Sequence, residues 1–352
     1  MEERNEQLFY TGTYASHHER GIYVCALRVE NGDLRMIGGV EGIERPSFLA
    51  LHPDGTKLYA ASETEEGELY AYQVHAQTGE LHPLDRKGTE GAHTCYVSVT
   101  ADGRYVLASN YSGGNAVVFP VTEAGGLGEM SGQVQHTGSG IRQDRQDAAH
   151  PHSIIPDPSG QYAMVCDLGL DQIVVYRLTE DGKLVTHREA DLPPGSGPRH
   201  LVFHPSCPYA FVVNELNNTV GVFSYNDRNG ELQLLQSLST LPEGIIDVEN
   251  TAADIRITLC GRYLYVSNRG HDSIVLYHVD LDSGKLETVE WVETFGSTPR
   301  NFNILSGYLV VANQDGNNIV SFAIHGEDGR LTRTGYVLEV PSPVCIEPVR
   351  QS

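Results

Sequence analysis

Positive charge is scarce in this 352-residue chain: 24 Lys and Arg stand against 46 Asp and Glu, a formal net charge of −22. That balance argues against non-specific binding to nucleic acid or to an anionic membrane surface. Cysteine is sparse as well. The six copies, at 25, 95, 166, 207, 260 and 345, include no Cys-x-x-Cys pair, so neither structural zinc nor a dense disulfide framework is expected. Reduced thiols in a cytoplasmic protein are the simplest reading. No stretch approaches the roughly 18 apolar residues that span a bilayer, and the polar segment Met1 to Gln7 lacks the apolar centre of a signal peptide. Gly-x-Ser-x-Gly is missing, as are a P-loop and a dinucleotide fingerprint between strand and helix. Covalent serine catalysis therefore has no support. Glycine is plentiful instead, with 37 copies beside 17 prolines, which suits a globular chain rich in turns. Length alone suggests two or three domains.

An internal repeat overrides that count. A Gly-x-Leu step begins at Gly32, Gly79, Gly125, Gly182, Gly230, Gly284 and Gly329, at intervals of 47, 46, 57, 48, 54 and 45 residues. Glycine behind a turn former supplies the positive φ of a tight hairpin, and the leucine restarts a strand. Apolar runs ending at Gly12, Ser62, Asn110, Asp167, Asn214, Asn268 and Asn313 repeat in step, and read as buried strands. Turns such as His52-Pro-Asp-Gly55 and Asp157-Pro-Ser-Gly160 precede most of them. Four strands in about 45–50 residues make a propeller blade. The expected fold is all-β: a seven-bladed β-propeller of four-stranded antiparallel blades. Aligning Pro341–Pro348 with Pro46–Pro53 lets the C-terminal strand join a blade built from residues 8–40 and close the ring. The chain reads as one domain over residues 1–352, with an ordered core from about 8 to 348.

In a blade, the start of the first strand meets the end of the second on one face of the disc. The first-strand starts are Ser47, Cys95, His152, Arg199, Ala253, Arg300 and Ser342, followed by Phe48, Tyr96, Ser153, His200, Asp254, Asn301 and Pro343. The residues after the second-strand anchors are Thr13, Glu63, Tyr111, Leu168, Glu215, Arg269 and Gln314. Equivalent positions in a purely structural array should resemble one another, and these do not. They gather Arg199, Arg269, Arg300 and His152 beside Glu63 and Glu215, placing scarce cations at one mouth. Arginine suits bidentate pairing with carboxylate or phosphate; ion pairs between blades are the plainer alternative. Two irregular stretches, an insertion between Asn110 and Asp167 and Leu241 to Thr251, are expected to overhang this mouth. His150 and His152 have no third ligand at matched spacing, so no metal or cofactor is expected. His17 and His18 read as a solvated pair.

Frame and ring together resemble the seven-bladed propeller lactonases, the family of the propeller-type 6-phosphogluconolactonases, related to carboxymuconate-lactonising enzymes. The carrying motifs are His150-Pro-His-Ser153, Gly197-Pro-Arg-His200, Asn214-Glu-Leu216, Ala253-Asp-Ile255, Ser267-Asn-Arg-Gly-His-Asp-Ser273 and Pro299-Arg300. The resemblance implies catalysis by His152, Arg199, Glu215 and Arg269. Arg300, Arg256, Asp254, His200, Glu63, Tyr111, Asn268 and Gln314 are the expected substrate-binding residues. One departure stands out. Where the family usually reads Asp-Ile-His-Ile, this chain has Asp254-Ile-Arg256-Ile257, which puts a permanent cation on the same strand face as Asp254.

The expected reaction is hydrolysis of a small anionic sugar lactone, foremost 6-phospho-glucono-1,5-lactone, a step of carbohydrate metabolism in the pentose phosphate pathway. Arg199 or Arg269 would face the developing oxyanion, while either His152 or Glu215 would take a proton from water. A lactonase or cycloisomerase for another lactone, and a non-catalytic binding scaffold, are the alternatives. No nucleic-acid or membrane partner is expected, and the ring would act as a monomer or homodimer.

Overall fold

All seven Gly-x-Leu glycines lie at positive φ, between 66° and 83°. The computed structural model describes residues 5–245 and 248–349. Most of the polar N-terminal segment, residues 1–4, and residues 246–247 of the second irregular stretch lie outside the described residues. The chain folds into seven four-stranded antiparallel sheets, numbered here as blades 1 to 7 with strands counted outward from the channel. First strands touch their neighbours around a complete ring. Pro343–Pro348 is the first strand of blade 1 and pairs with Glu6–Thr13, closing the propeller as expected.

The register of that closure differs from the sequence alignment. Pro343, not Pro341, pairs with Thr13, as Pro46 pairs with Ser62 in blade 2. The second-strand anchor of blade 1 is therefore Thr13 rather than Gly12. The residue following it at the mouth is Tyr14, not Thr13, and the first-strand position is Val344, not Ser342. The segment Pro341-Ser-Pro343 offers two prolines, and the first was the wrong match. Blade 3 departs in a smaller way: Leu127 only bridges to Val121, and the fourth strand starts later, at Gly132–Gln135.

One hydrogen bond recurs at every blade junction. A tyrosine near the start of the second strand donates to a carbonyl in the Gly-x-Leu turn region of the next blade. Tyr10 reaches Gly79 O at 2.9 Å, Tyr59 Gly125 O at 3.0 Å, and Tyr105 Glu180 O at 2.6 Å. Tyr162 reaches Arg228 O at 3.2 Å, Tyr209 Asp282 O at 2.6 Å, Tyr263 Glu327 O at 2.5 Å, and Tyr308 Val29 O at 3.1 Å, which returns to blade 1. Glycine is needed in these turns for room as well as for φ. A Cβ on Gly284 would sit 2.5 Å from the Tyr209 ring. Each bond contributes about 1 kcal/mol net.

A bulge marks the mouth end of every first strand. Register shifts fall between Pro46 and Phe48, Thr94 and Tyr96, Pro151 and Ser153, Pro198 and His200, Ala252 and Ile255, and Pro299 and Asn301, with the blade 1 equivalent opposite Gly12 and Thr13. Such an extra residue re-aims its side chain. In five blades that residue is Ser47, Cys95, His152, Arg199 or Arg300, which is how strand ends of ordinary pairing present chemistry to the channel.

Candidate active site

The mouth holds a cavity of about 280 Å³ lined by Tyr14, Glu63, Cys95, Tyr111, Arg145, His152, Glu215, Arg269 and Arg300. Cys95, His152, Arg269 and Arg300 lie at strand ends, Tyr14, Glu63, Tyr111 and Glu215 each directly follow a second strand, and Arg145 comes from a loop. At the centre lies Glu215, 3% exposed, at the end of the second strand of blade 5, Tyr209–Asn214. Three guanidiniums converge on it. Arg145 Nη2 donates to Oε1 at 2.5 Å, while Arg199 Nε and Arg269 Nη2 lie 3.0 and 2.9 Å from Oε2. Burial alone would raise the pKa of Glu215, but Arg269, Arg199 and Arg145 outweigh it and hold the carboxyl far below the usual carboxylate range.

Arg199 lies under the cavity floor rather than in its wall. It is 2% exposed, and its Nη1 donates to Ala253 O at 2.7 Å. Burial first, then the charges of Arg269 and Arg300, lower its pKa to about 10. Arg300 lies against Tyr14, its Cζ 5.2 Å from the ring centroid, with Arg45 at 4.9 Å. The Tyr14 hydroxyl donates to Glu63 Oε2 at 3.0 Å, and burial pushes its pKa up to about 12. With Arg199 included, four guanidiniums meet two carboxylates, a formal excess of two positive charges.

His152 is 5% exposed, and its Nδ1 is 3.9 Å from Cys95 Sγ. Its ring sits edge-on to Tyr111 at 5.6 Å and to His200 at 5.3 Å. Burial, followed by the charges of Arg199, His200, Arg300 and Arg269, holds its pKa well below 6.5. It is a neutral imidazole able to accept a proton. Cys95 is no thiolate nucleophile, because burial raises its pKa to about 12.

The insertion of blades 3 and 4 does overhang the mouth, and it delivers Arg145. Three buried side chains hold it there. His136 Nδ1 donates to Asp167 Oδ2 at 2.7 Å, and Gln146 Nε2 to Leu168 O at 2.9 Å and Asp171 Oδ1 at 2.8 Å. His150 stacks on Tyr111 at 4.3 Å, donates from Nδ1 to Tyr111 O at 3.0 Å, and sets Nε2 3.3 Å from Asp147 Oδ1. Among the described residues no group of three or more His, Cys, Asp and Glu is arranged around a metal position. Beside the mouth, this loop and the second irregular stretch flank a further cleft of about 490 Å³, between Arg142, Arg145 and residues 248–251.

Of the twelve expected site residues, His152, Glu215, Arg269, Arg300, Glu63 and Tyr111 line the cavity, and Arg199 lies directly beneath. His200, Asp254 and Arg256 form a deeper layer and do not line it. Asn268 is a correction: it is fully buried, donates to Thr240 O at 2.8 Å and accepts from Thr240 Oγ1 at 2.7 Å, clamping the crossover into its own blade. Asn110 holds Thr89 O in the same way, so this anchor is structural. Side chains alternate along a strand, so Asn268 and Arg269 cannot both face the mouth. Gln314 is a second correction, for its amide donates to neighbouring Asp315 at 3.0 Å and it is not among the lining residues. Tyr14 went unnoticed through the one-residue anchor slip, and Arg145 because a loop contact has no periodicity. The dense run Arg142-Gln-Asp-Arg-Gln-Asp147 was the available signal.

Comparison with known proteins agrees with this fold. A family model described as Lactonase, 7-bladed beta-propeller matches residues 8–348. A 6-phosphogluconolactonase of Bacillus subtilis is 37% identical over 345 residues, covering 97% of this chain and 98% of that protein. Among solved structures, a Lactobacillus plantarum protein aligns with a TM-score of 0.91 at 31% identity, covering 98% of this chain and 100% of the other. The periplasmic gluconolactonase of Pseudomonas aeruginosa aligns with a TM-score of 0.90 at 30% identity, over 98% and 99%. The chain belongs to the seven-bladed β-propeller lactonase family.

Proposed function

We propose that this protein hydrolyses a sugar δ-lactone bearing an anionic group, with 6-phospho-glucono-1,5-lactone as the preferred substrate. One observation carries the reading: a protein of net charge −22 concentrates an excess of buried guanidinium charge around a neutral imidazole at one mouth. Such a mouth draws in a small anion and supplies a field to a developing oxyanion. The name of the Bacillus subtilis relative supports a phosphorylated substrate.

Of the two candidate bases, this reading takes His152. Glu215 already spends three of its roughly four lone-pair positions on guanidiniums, and its carboxyl has little affinity for a proton. It serves as the anchor that holds Arg145, Arg199 and Arg269 together. Among the described residues no other hydrogen bond engages the His152 ring, so Nε2 is left to a water in the cavity. The imidazole takes the proton as that water attacks the carbonyl, then returns it to the ring oxygen as the C–O bond breaks. The substrate's own charge offsets the arginines and so raises the proton affinity of His152 when it is needed. Arg269 and Arg300, with the Tyr111 hydroxyl, are the donors that face the reacting carbonyl, and Arg199 adds its field from below.

The name of the Pseudomonas relative favours a second reading, in which an unphosphorylated lactone is the substrate. An assay on freshly generated 6-phosphogluconolactone, corrected for spontaneous hydrolysis and run beside glucono-δ-lactone, decides between them. Preference for the phosphorylated lactone is expected, equal turnover would support the second reading, and turnover of neither would remove both. All six cysteines are free thiols, and a reducing, cytoplasmic compartment is proposed on that ground.

A further inference from the structure

Below the cavity a line of side chains runs down the channel that no step of the reaction above uses directly. Arg256 Nη2 lies 3.1 Å from Asp254 Oδ2. Asp254 Oδ1 pairs with His200 Nδ1 at 2.8 Å, and His200 Nε2 faces Arg199 Nη1 at 3.2 Å. Arg199 Nε then donates to Glu215 Oε2 at 3.0 Å. Asp254 is fully buried, and His200 and Arg199 are each 2% exposed.

The chemistry of the two ends selects the state of the middle. A guanidinium only donates, so His200 Nε2 must carry the lone pair. An ionised carboxylate only accepts, so Nδ1 must carry the proton. One neutral tautomer satisfies both neighbours, and the other would aim an N–H at Arg199. The carboxylate cannot turn away, because Asn301 Nδ2 at 2.7 Å and Phe302 N at 3.4 Å also donate to its Oδ2. Nor can the imidazole tilt freely, since Phe48, Tyr96 and His152 surround it with ring centroids at 5.6, 5.1 and 5.3 Å.

We infer that Asp254 and His200 are positioning residues: Asp254 fixes the His200 tautomer, and His200 thereby fixes Arg199 under the Glu215 carboxylate. Arg199 has three acceptors, Glu215 Oε2, Ala253 O and His200 Nε2, and together they define its plane. Losing the imidazole acceptor leaves a buried donor unmet and lets the guanidinium swing off Glu215, the anchor of the whole arginine cluster. Arg256 finds its place here too. At the position where the resembled family carries histidine, it is the permanent counter-charge of Asp254 rather than a substrate ligand.

The test pairs a spectroscopic readout with a kinetic one, and only the kinetic one rests on the lactonase reading. In the wild-type protein, 15N NMR should find His200 protonated at Nδ1 and bare at Nε2. In Asp254→Asn, nearly the same shape, the amide can donate, so the proton should move to Nε2 and kcat on the lactone should fall at least about tenfold with KM within about threefold. His200→Gln, whose amide oxygen can stand where Nε2 stood, should keep more of kcat than His200→Phe, and this pair decides the matter if Asp254→Asn fails to fold. A wild-type His200 protonated at Nε2 would overturn the inference. So would wild-type kcat in Asp254→Asn with its tautomer inverted, a lowered kcat with the tautomer unchanged, or equal kcat in the two His200 variants. If the wild-type protein turns over no lactone, the functional reading falls, and the tautomers in wild type and Asp254→Asn still judge the positioning role.

Discussion

The two ends of the same strand teach opposite lessons. At the outer start of each second strand, or two residues further along on the same face, stands a tyrosine. In all seven blades it stitches onto the next blade's turn. At the inner end, the residues that follow the seven second-strand anchors are Tyr14, Glu63, Tyr111, Leu168, Glu215, Arg269 and Gln314, five residue types in seven places. Sequence uniformity follows from a repeated mechanical task, because every junction meets a carbonyl of the same kind of turn. Variety at the mouth follows from a shared one, because five of these positions line a single cavity and together must supply charge of both signs and hydroxyls.

Three experiments press on that contrast. The largest combined effect on activity and stability is expected at the mouth from Glu215→Gln. It removes the charge under three guanidiniums and turns an amide N–H toward one of them, so kcat should drop at least about tenfold and stability by about 3 kcal/mol. Kinetics and urea unfolding on the same preparation measure both. An unchanged midpoint would mean that the arginine cluster does not need its anchor.

His152→Ala should lower kcat by about 10²-fold with little loss of stability. The wild-type pH profile sharpens this assignment. A base whose pKa is lowered stays deprotonated to lower pH, so the acid limb of kcat/KM should lie well below pH 6.5. The acid limb of kcat should lie at higher pH, since bound substrate charge offsets the arginines. An acid limb of kcat/KM at or above 6.5 contradicts a base buried among guanidiniums.

The smallest effect is expected from the stitch. Tyr162→Phe removes one interblade hydrogen bond, so stability should fall by about 1 kcal/mol while kcat stays within about twofold. A larger change in kcat would show that junction and mouth are coupled, and the contrast between the two strand ends would not hold.

Much of the ring was legible in the sequence because its signals are local. Gly284-Lys-Leu286 announces a turn from three residues, and Tyr209 to Asn214 a buried strand from six. Blade equivalence then carried His152, Arg199, Glu215, Arg269 and Arg300 to one face without any knowledge of contacts. Errors arose where a single residue of register mattered. Taking Gly12 for Thr13 hid Tyr14, and reading Asn268 as a mouth residue ignored that its neighbour Arg269 already claimed that face. Arg145 lies outside the repeat and left no periodic trace.

The sequence by itself determined the number of blades, the closure of the ring and the gathering of cations at one mouth, since each follows from spacing along the chain. Only the tertiary structure decided what those residues do to one another. It set Arg199 beneath the cavity and Arg269 in its wall, locked Glu215 with three guanidiniums, and joined Asp254, His200 and Arg256 in a layer beneath them. The physical reason is that charge and proton affinity depend on distances of 3 to 5 Å between blades far apart in sequence, and spacing along one chain carries no record of those distances.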